Sequence, residues 1–324
     1  MRPLLLGVLA ALFFASTFVL NESMQVGGGS WAYSASLRFL FMIPLLMLVV
    51  AVRGGMTRVR RAIVYEPWPW LVWGTVGFGL FYVPICLAAE VAPPWLIAGT
   101  WQVTIIAGAL LSPLFRRSDG TRERIPWTAL RFSGLILFGV VLMQLEFLAD
   151  FEPRFLWIGV VPVLMAAFAY PLGNRKMMAH TDLDVFERIL GMCIGSLPVW
   201  LLLFGYGLTT GAPTSSQLTQ TLLVALLSGV FATVLFFKAT DLVKHDMGKL
   251  ATVEATQALE VLFALIGELI FLQAHLPSGL SLVGISLVMV GISLVMVGVV
   301  LHSCSQFNVK ESLVPAANRY DKEG

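Results

Sequence analysis

Four side chains with acid–base or hydrogen-bonding capacity interrupt one long apolar stretch, LATVEATQALEVLFALIGELIFL, running from Leu250 to Leu272. They are Glu254, Gln257, Glu260 and Glu268. At about 100° per residue they share an arc of about 120° on a helix. The remaining positions are almost all Val, Leu, Ile, Phe and Ala. A carboxylate near the middle of a bilayer costs roughly 2.5–3.5 kcal/mol on insertion scales, so such groups face a protein interior or a wet cavity. Two chemistries fit. The carboxylates could tie helices together, or they could bind a cation and exchange it for a proton. Counting ~1.5 Å per residue from the inner end puts Glu260 about 15 Å deep, near the midplane. At that depth burial brings the charged and neutral forms of a carboxyl close in energy, which suits proton exchange. Glu260 is therefore the first candidate. Glu254 lies in the inner third and Glu268 approaches the outer interface.

A second stretch carries Trp101, Gln102 and Thr104 within AGTWQVTIIAGALL. An aromatic face attracts organic cations, so Trp101 and Gln102 are candidates to line the opposite wall. Small-residue helix packing accounts for the same composition without a ligand. Arg38 and Arg188 also lie within apolar segments. A gate or structural ion pair suits them, with Glu146 or Glu268 as partner for Arg38 and Glu254 for Arg188.

These residues need helices that cross a membrane. The chain has 324 residues, 58% hydrophobic and 12% charged, where a soluble domain has about 25% charged residues. Apolar windows long enough to cross recur throughout. Ten spans are expected, near 3–21, 31–52, 68–88, 93–115, 126–146, 155–174, 186–207, 219–240, 249–272 and 277–302. On that reading 18 of the 21 Lys and Arg residues fall on one side. The positive-inside rule then makes both termini cytoplasmic. The N-terminal Leu-rich run resembles a signal peptide, but its apolar length favours retention as the first span. No Walker A sequence appears, and neither the three Cys nor the four His have metal-ligand spacing. No metal, cofactor or nucleic-acid partner is expected, and nothing suggests an ATP-driven pump. A membrane-embedded lipid enzyme would need Asp-rich or His-rich motifs, which the sequence lacks, so the chain is read as a non-enzyme.

The two halves match in order. Phe14-Ala15 to Asn21 and Met24 is echoed by Phe168-Ala169 to Asn174 and Met177. Arg38-x-Leu40-x-Met42 matches Arg188-x-Leu190-x-Met192, and Gln102 aligns with Gln257. Each match is offset by five spans, an odd number, so the copies are inserted in opposite directions. An inverted repeat puts a binding site near the midplane, where the copies meet. The expected organisation is an all-α membrane protein with a five-helix repeat over 1–150, its inverted partner over 151–303, and a cytoplasmic tail over 304–324. The last span repeats Gly284–Val290 as Gly291–Val297. This tandem duplication implies no function.

The segments SASLRFLFMIPLL, AGTWQVTIIAGALL, AAFAYPLGNRKMM and ATVEATQALEVLFALIGE resemble the drug/metabolite transporter superfamily, in its branch of multidrug resistance efflux transporters. In that superfamily the ninth span often reads Glu-Pro-Val. Here Glu260 is followed directly by Val261, so the helix-breaking Pro is absent. The resemblance implies a secondary transporter in the inner (plasma) membrane, working as a monomer or homodimer. It would export small amphipathic, cationic compounds in exchange for protons. A metabolite exporter or facilitator, for an amino acid or sugar derivative, is the alternative.

Overall fold

Apolar runs flanked by Pro, Gly and charged residues become helices. The computed structural model describes residues 1–115, 120–125, 127–148, 154–291 and 293–294. In chain order the helices are α1 (Arg2–Val26), α2 (Trp31–Val52), α3 (Met56–Tyr65), α4 (Pro67–Ala88), α5 (Pro94–Leu110) and α6 (Trp127–Leu148). Then come α7 (Phe155–His180), α8 (Val185–Gly195), α9 (Leu197–Leu208), α10 (Ser215–Asp241), α11 (Met247–Ala255), α12 (Leu259–Phe271) and α13 (Gly279–Gly291). Helix covers part of each of the ten stretches expected from the sequence. Five of these helices, α1, α2, α4, α7 and α10, are long and apolar enough to cross a membrane on their own. The pair α8 and α9, bent by 51°, makes up to six. The protein is an all-helical, multi-pass membrane protein. Glu146 and the heptad copy beyond Gly291 lie largely outside the described side chains, and the tail over 304–324 lies outside the described residues.

In lipid, helices associate through close packing rather than apolar burial, so small residues mark the contacts. Helices α4 and α7 cross at Gly77 and Gly173, whose backbones touch. The Trp70 ring of α4 lies against Gly191 of α8. Helix α1 packs on α10 and α12, and α7 packs on α4 and α5. Helix α2 packs on α8, α9 and α10, α8 also packs on α4, and α5 meets both α11 and α12.

Three stretches depart from regular α-helix where functional side chains sit. Helix α5 is interrupted at Gln102, between Pro94–Trp101 and Val103–Leu110. A 3-10 turn over Thr256–Ala258 separates α11 from α12. Inside α10, a π-helical stretch over Ala225–Ala232 carries Ser228. Local π stretches widen a helix by one residue and redirect its side chains.

Helix α3 is short and carries exposed Arg58, Arg60 and Arg61. It meets the first turn of α8 through Arg58–Glu187 at 2.6 Å, beside Arg53–Asp184 at 3.0 Å. Two of the basic loops therefore lie at one end of the bundle. Asp184 also caps α8, accepting from the Glu187 backbone N–H at 3.0 Å, while Glu187 accepts from the Asp184 N–H. Partial burial works against ionised Asp184. The Glu187 N–H and the Arg53 guanidinium outweigh it and hold the carboxyl below the usual carboxylate range.

Candidate functional site

The acidic positions of α11 and α12 are spread along the axis: residues 254 and 268 stand about 21 Å apart along a helix at 1.5 Å per residue, and a 3-10 turn shifts the phase between them.

Glu260 is 2% exposed, and its Oε1 has no hydrogen-bond partner. It lines a small cavity between α1, α4, α5, α7 and α12, together with Phe14, Phe18, Phe81, Trp101, Tyr170 and Gln257. Thr17 and Ile85 complete the wall. The free space holds about one water molecule. The rings interlock: Phe81 and Tyr170 centroids lie 4.6 Å apart, Phe81 and Trp101 5.0 Å, and Trp101 and Tyr170 5.7 Å, edge to face.

Trp101, Tyr170 and Gln257 also wall a second small cavity on the Glu254 side, with Thr104, Asn174 and Glu254. Glu254 is locked there. The Arg175 guanidinium donates to it twice, Nε to Oε1 at 3.1 Å and Nη2 to Oε2 at 2.6 Å, and Arg175 Nη1 donates to the Gly108 carbonyl at 2.5 Å. One buried fork thus ties α5, α7 and α11 together. Gly108 is required by close approach, since a Cβ there would lie 2.6 Å from Glu254 Oε2.

Gln102 is fully buried but points away from the cavities. Its Nε2 donates to the Ala98 carbonyl at 2.8 Å and to the Gln257 carbonyl at 3.4 Å, beside the interruptions of the two helices. The aligned glutamines therefore meet, each at the break in its own helix. Gln257 Nε2 is buried without a partner on the wall shared by both cavities. Thr104 donates to the Ala167 carbonyl at 3.0 Å.

The two arginines have different surroundings. Arg188 pairs with Asp241 at 2.9 Å, not with Glu254. Arg38 has no carboxylate within ion-pair distance, neither Glu268 nor any other among the described residues. Its Nη2 donates to Ser228 at 2.9 Å, and its guanidinium lies 4.0 Å from the centre of the Tyr82 ring. Glu268 is buried near the start of α5, where the Trp95 backbone N–H donates to it.

Arg175, Tyr170, Asn174, Ser228 and Asp241 were not singled out from sequence. Arg175 was counted as a loop residue closing the sixth span. Helix α7 continues to His180, so Arg175 is inside. The carboxylate at Glu254, which needed a partner, was the available signal.

Comparison with known proteins adds four findings. A family model, "EmrE: Putative multidrug resistance efflux transporter", matches residues 1–303. "Uncharacterized protein YjlA" of Bacillus subtilis (strain 168) is 49% identical over 298 residues, 89% of this chain and 92% of its own. An uncharacterized 42.1 kDa protein of Shouchella clausii, encoded in the 3' region of the intracellular alkaline protease, is 48% identical over 267 residues, 80% of this chain and 70% of its own. A solved crystal structure, described without a function, shares the fold with a TM-score of 0.62 at 17% identity. That similarity covers 91% of this chain and 96% of the other.

Proposed function

Because the chain belongs to the EmrE family of multidrug resistance efflux transporters, a family of small-molecule transporters, we propose that it exports small amphipathic cations across the inner membrane in exchange for protons. Glu260 is the group on which cation and proton compete. The observation that carries this is a buried carboxylate oxygen without a partner, facing a cavity of aromatic rings. Such rings suit an apolar cation, and a carboxylate without a fixed counter-ion is free to take one. Glu254, engaged by Arg175, is a gate element rather than a cargo ligand.

Ten crossings arranged as two inverted sets of five support alternating access to this site. Some helix pairings have a counterpart five spans on, which supports this arrangement: α1 with α10 and α12 corresponds to α7 with α4 and α5, and α2 with α10 to α8 with α4. The clustering of basic loops on one side favours cytoplasmic termini.

The test is proton-driven accumulation of tetraphenylphosphonium in inside-out vesicles. The expected result is accumulation by the wild type and at least a tenfold loss of coupled transport in Glu260→Gln. Undiminished coupling in that variant contradicts the assignment.

A further inference from the structure

The residues that line the second cavity, on the Glu254 side, carry three polar atoms without a hydrogen-bond partner. They are Gln257 Nε2, Asn174 Oδ1 and the Tyr170 hydroxyl, on side chains only 2%, 3% and 4% exposed. Buried polar groups are normally paired, because leaving one unpaired in a dry interior is unfavourable. Two separate elements bring these three together. Tyr170 and Asn174 stand four residues apart on α7, one above the other on the same face. Gln257 comes from the 3-10 turn between α11 and α12.

The chemistry on offer is neutral. Glu254 is the carboxylate on this wall, and Arg175 occupies both of its oxygens. The three free atoms present a donor N–H on Gln257, an acceptor carbonyl on Asn174 and a phenol that does either. One group that accepts a hydrogen bond and donates another matches them. A hydroxyl is the smallest such group, and the free space is about the size of one water molecule. Trp101, Tyr170 and Gln257 line the first cavity as well, and Gln257 stands three residues before Glu260. The same two rings therefore border both the carboxylate and the neutral polar space.

We propose that the second cavity is a cargo subsite for a neutral hydroxyl, carried on the apolar body of the exported cation. The positive charge sits at Glu260, and the hydroxyl accepts from Gln257 Nε2 and donates to Asn174 Oδ1, with Tyr170 beside them. The inference rests on the reading of Glu260 as the cation site and adds a second requirement to it. A second charged group would find no counter-charge there, since Glu254 is already paired. A wholly apolar end would leave all three polar atoms unpaired.

Two monocations of one shape separate these cases when titrated at pH 7 against the purified full-length protein: (3-hydroxyphenyl)trimethylammonium and (3-methylphenyl)trimethylammonium. The hydroxyl probe is expected to bind about tenfold tighter, the worth of one or two neutral hydrogen bonds. Asn174→Leu should bring the ratio of the two affinities close to one, and Tyr170→Phe, which keeps the ring, should lower it. A merely structural role for these side chains would weaken both probes together and leave the ratio intact, which would overturn the subsite. Glu260→Gln should weaken both probes. If the two bind the wild type alike and both depend on Glu260, the second cavity is a water site only, and the hydroxyl proposal falls while the Glu260 site stands. If neither binds, or if Glu260→Gln changes neither, both fall.

Discussion

Arg175 and Glu254 face each other in a setting where either charge alone is costly. Removing one partner of a buried pair strands the other, which typically costs about 3–5 kcal/mol. Glu254→Gln should therefore destabilise the detergent-solubilised protein by about that amount. The double variant with Arg175→Gln should recover much of the loss, because no uncompensated charge remains. Unfolding by denaturant, followed by intrinsic fluorescence, checks both; equal losses in single and double variants would remove the pair from the account. Glu254 was legible as an acid inside an apolar helix. Its partner was not, because hydropathy ends a span at the first cluster of cations, and Arg175 opens the cluster Arg175-Lys176. Lys176 in turn lies 5.6 Å from the Trp73 ring centre and 5.2 Å from that of Phe115. The helix continues because these cations find partners, and a window average does not register partners. Arg38 illustrates the reverse. Its presence in a span implied an ion pair, and the partner found was a hydroxyl and a ring.

At the level of elements, two interruptions and one crossing shape the site. Helix α5 breaks at Gln102 and the α11–α12 unit breaks at Thr256–Ala258, where the sequence alignment paired Gln102 with Gln257. Neither break is at a proline, and each is one to three residues long, so the apolar period gave no warning of them. Gln102 was expected to line the opposite wall beside Trp101. Its amide instead donates to the Ala98 and Gln257 carbonyls. The crossing of α4 and α7 at Gly77 and Gly173 leaves no room for a side chain: a Cβ on Gly173 would stand 2.9 Å from the Trp73 carbonyl oxygen. Gly173→Leu should cost on the order of 1–3 kcal/mol by overpacking, read as a lower thermal midpoint. Gly205, whose Cβ would meet nothing within 4 Å, supplies the control, and Gly205→Leu should leave the midpoint nearly unchanged.

The whole molecule reads as a bundle whose charged end is pinned outside the apolar region. Asp184 joins Arg53 and the α8 N-terminus there. Its carboxyl is held below the usual range, so its contribution to stability is complete above the unfolded value of about 3.9 and disappears as pH falls through the lower folded value. Asp184→Ala should lower stability by about 1 kcal/mol near neutral pH through loss of the cap. It should also flatten the acid limb of the stability curve, with wild type and variant converging once the carboxyl is protonated. Composition alone made the chain a polytopic membrane protein, and the quoted motifs led to the transporter family. The small size of the cavity, about one water, is a property of packing between α1, α4, α5, α7 and α12, which no single segment encodes.

Alternating access requires that the Glu260 cavity open to both faces of the membrane. Ile85 lines it and is 1% exposed. A cysteine at that position (Ile85→Cys) can be probed with a membrane-impermeant thiol reagent applied separately to right-side-out and inside-out vesicles, against the native cysteine background. Modification is expected from both faces, slowed by tetraphenylphosphonium. No modification above background from either face would contradict alternating access.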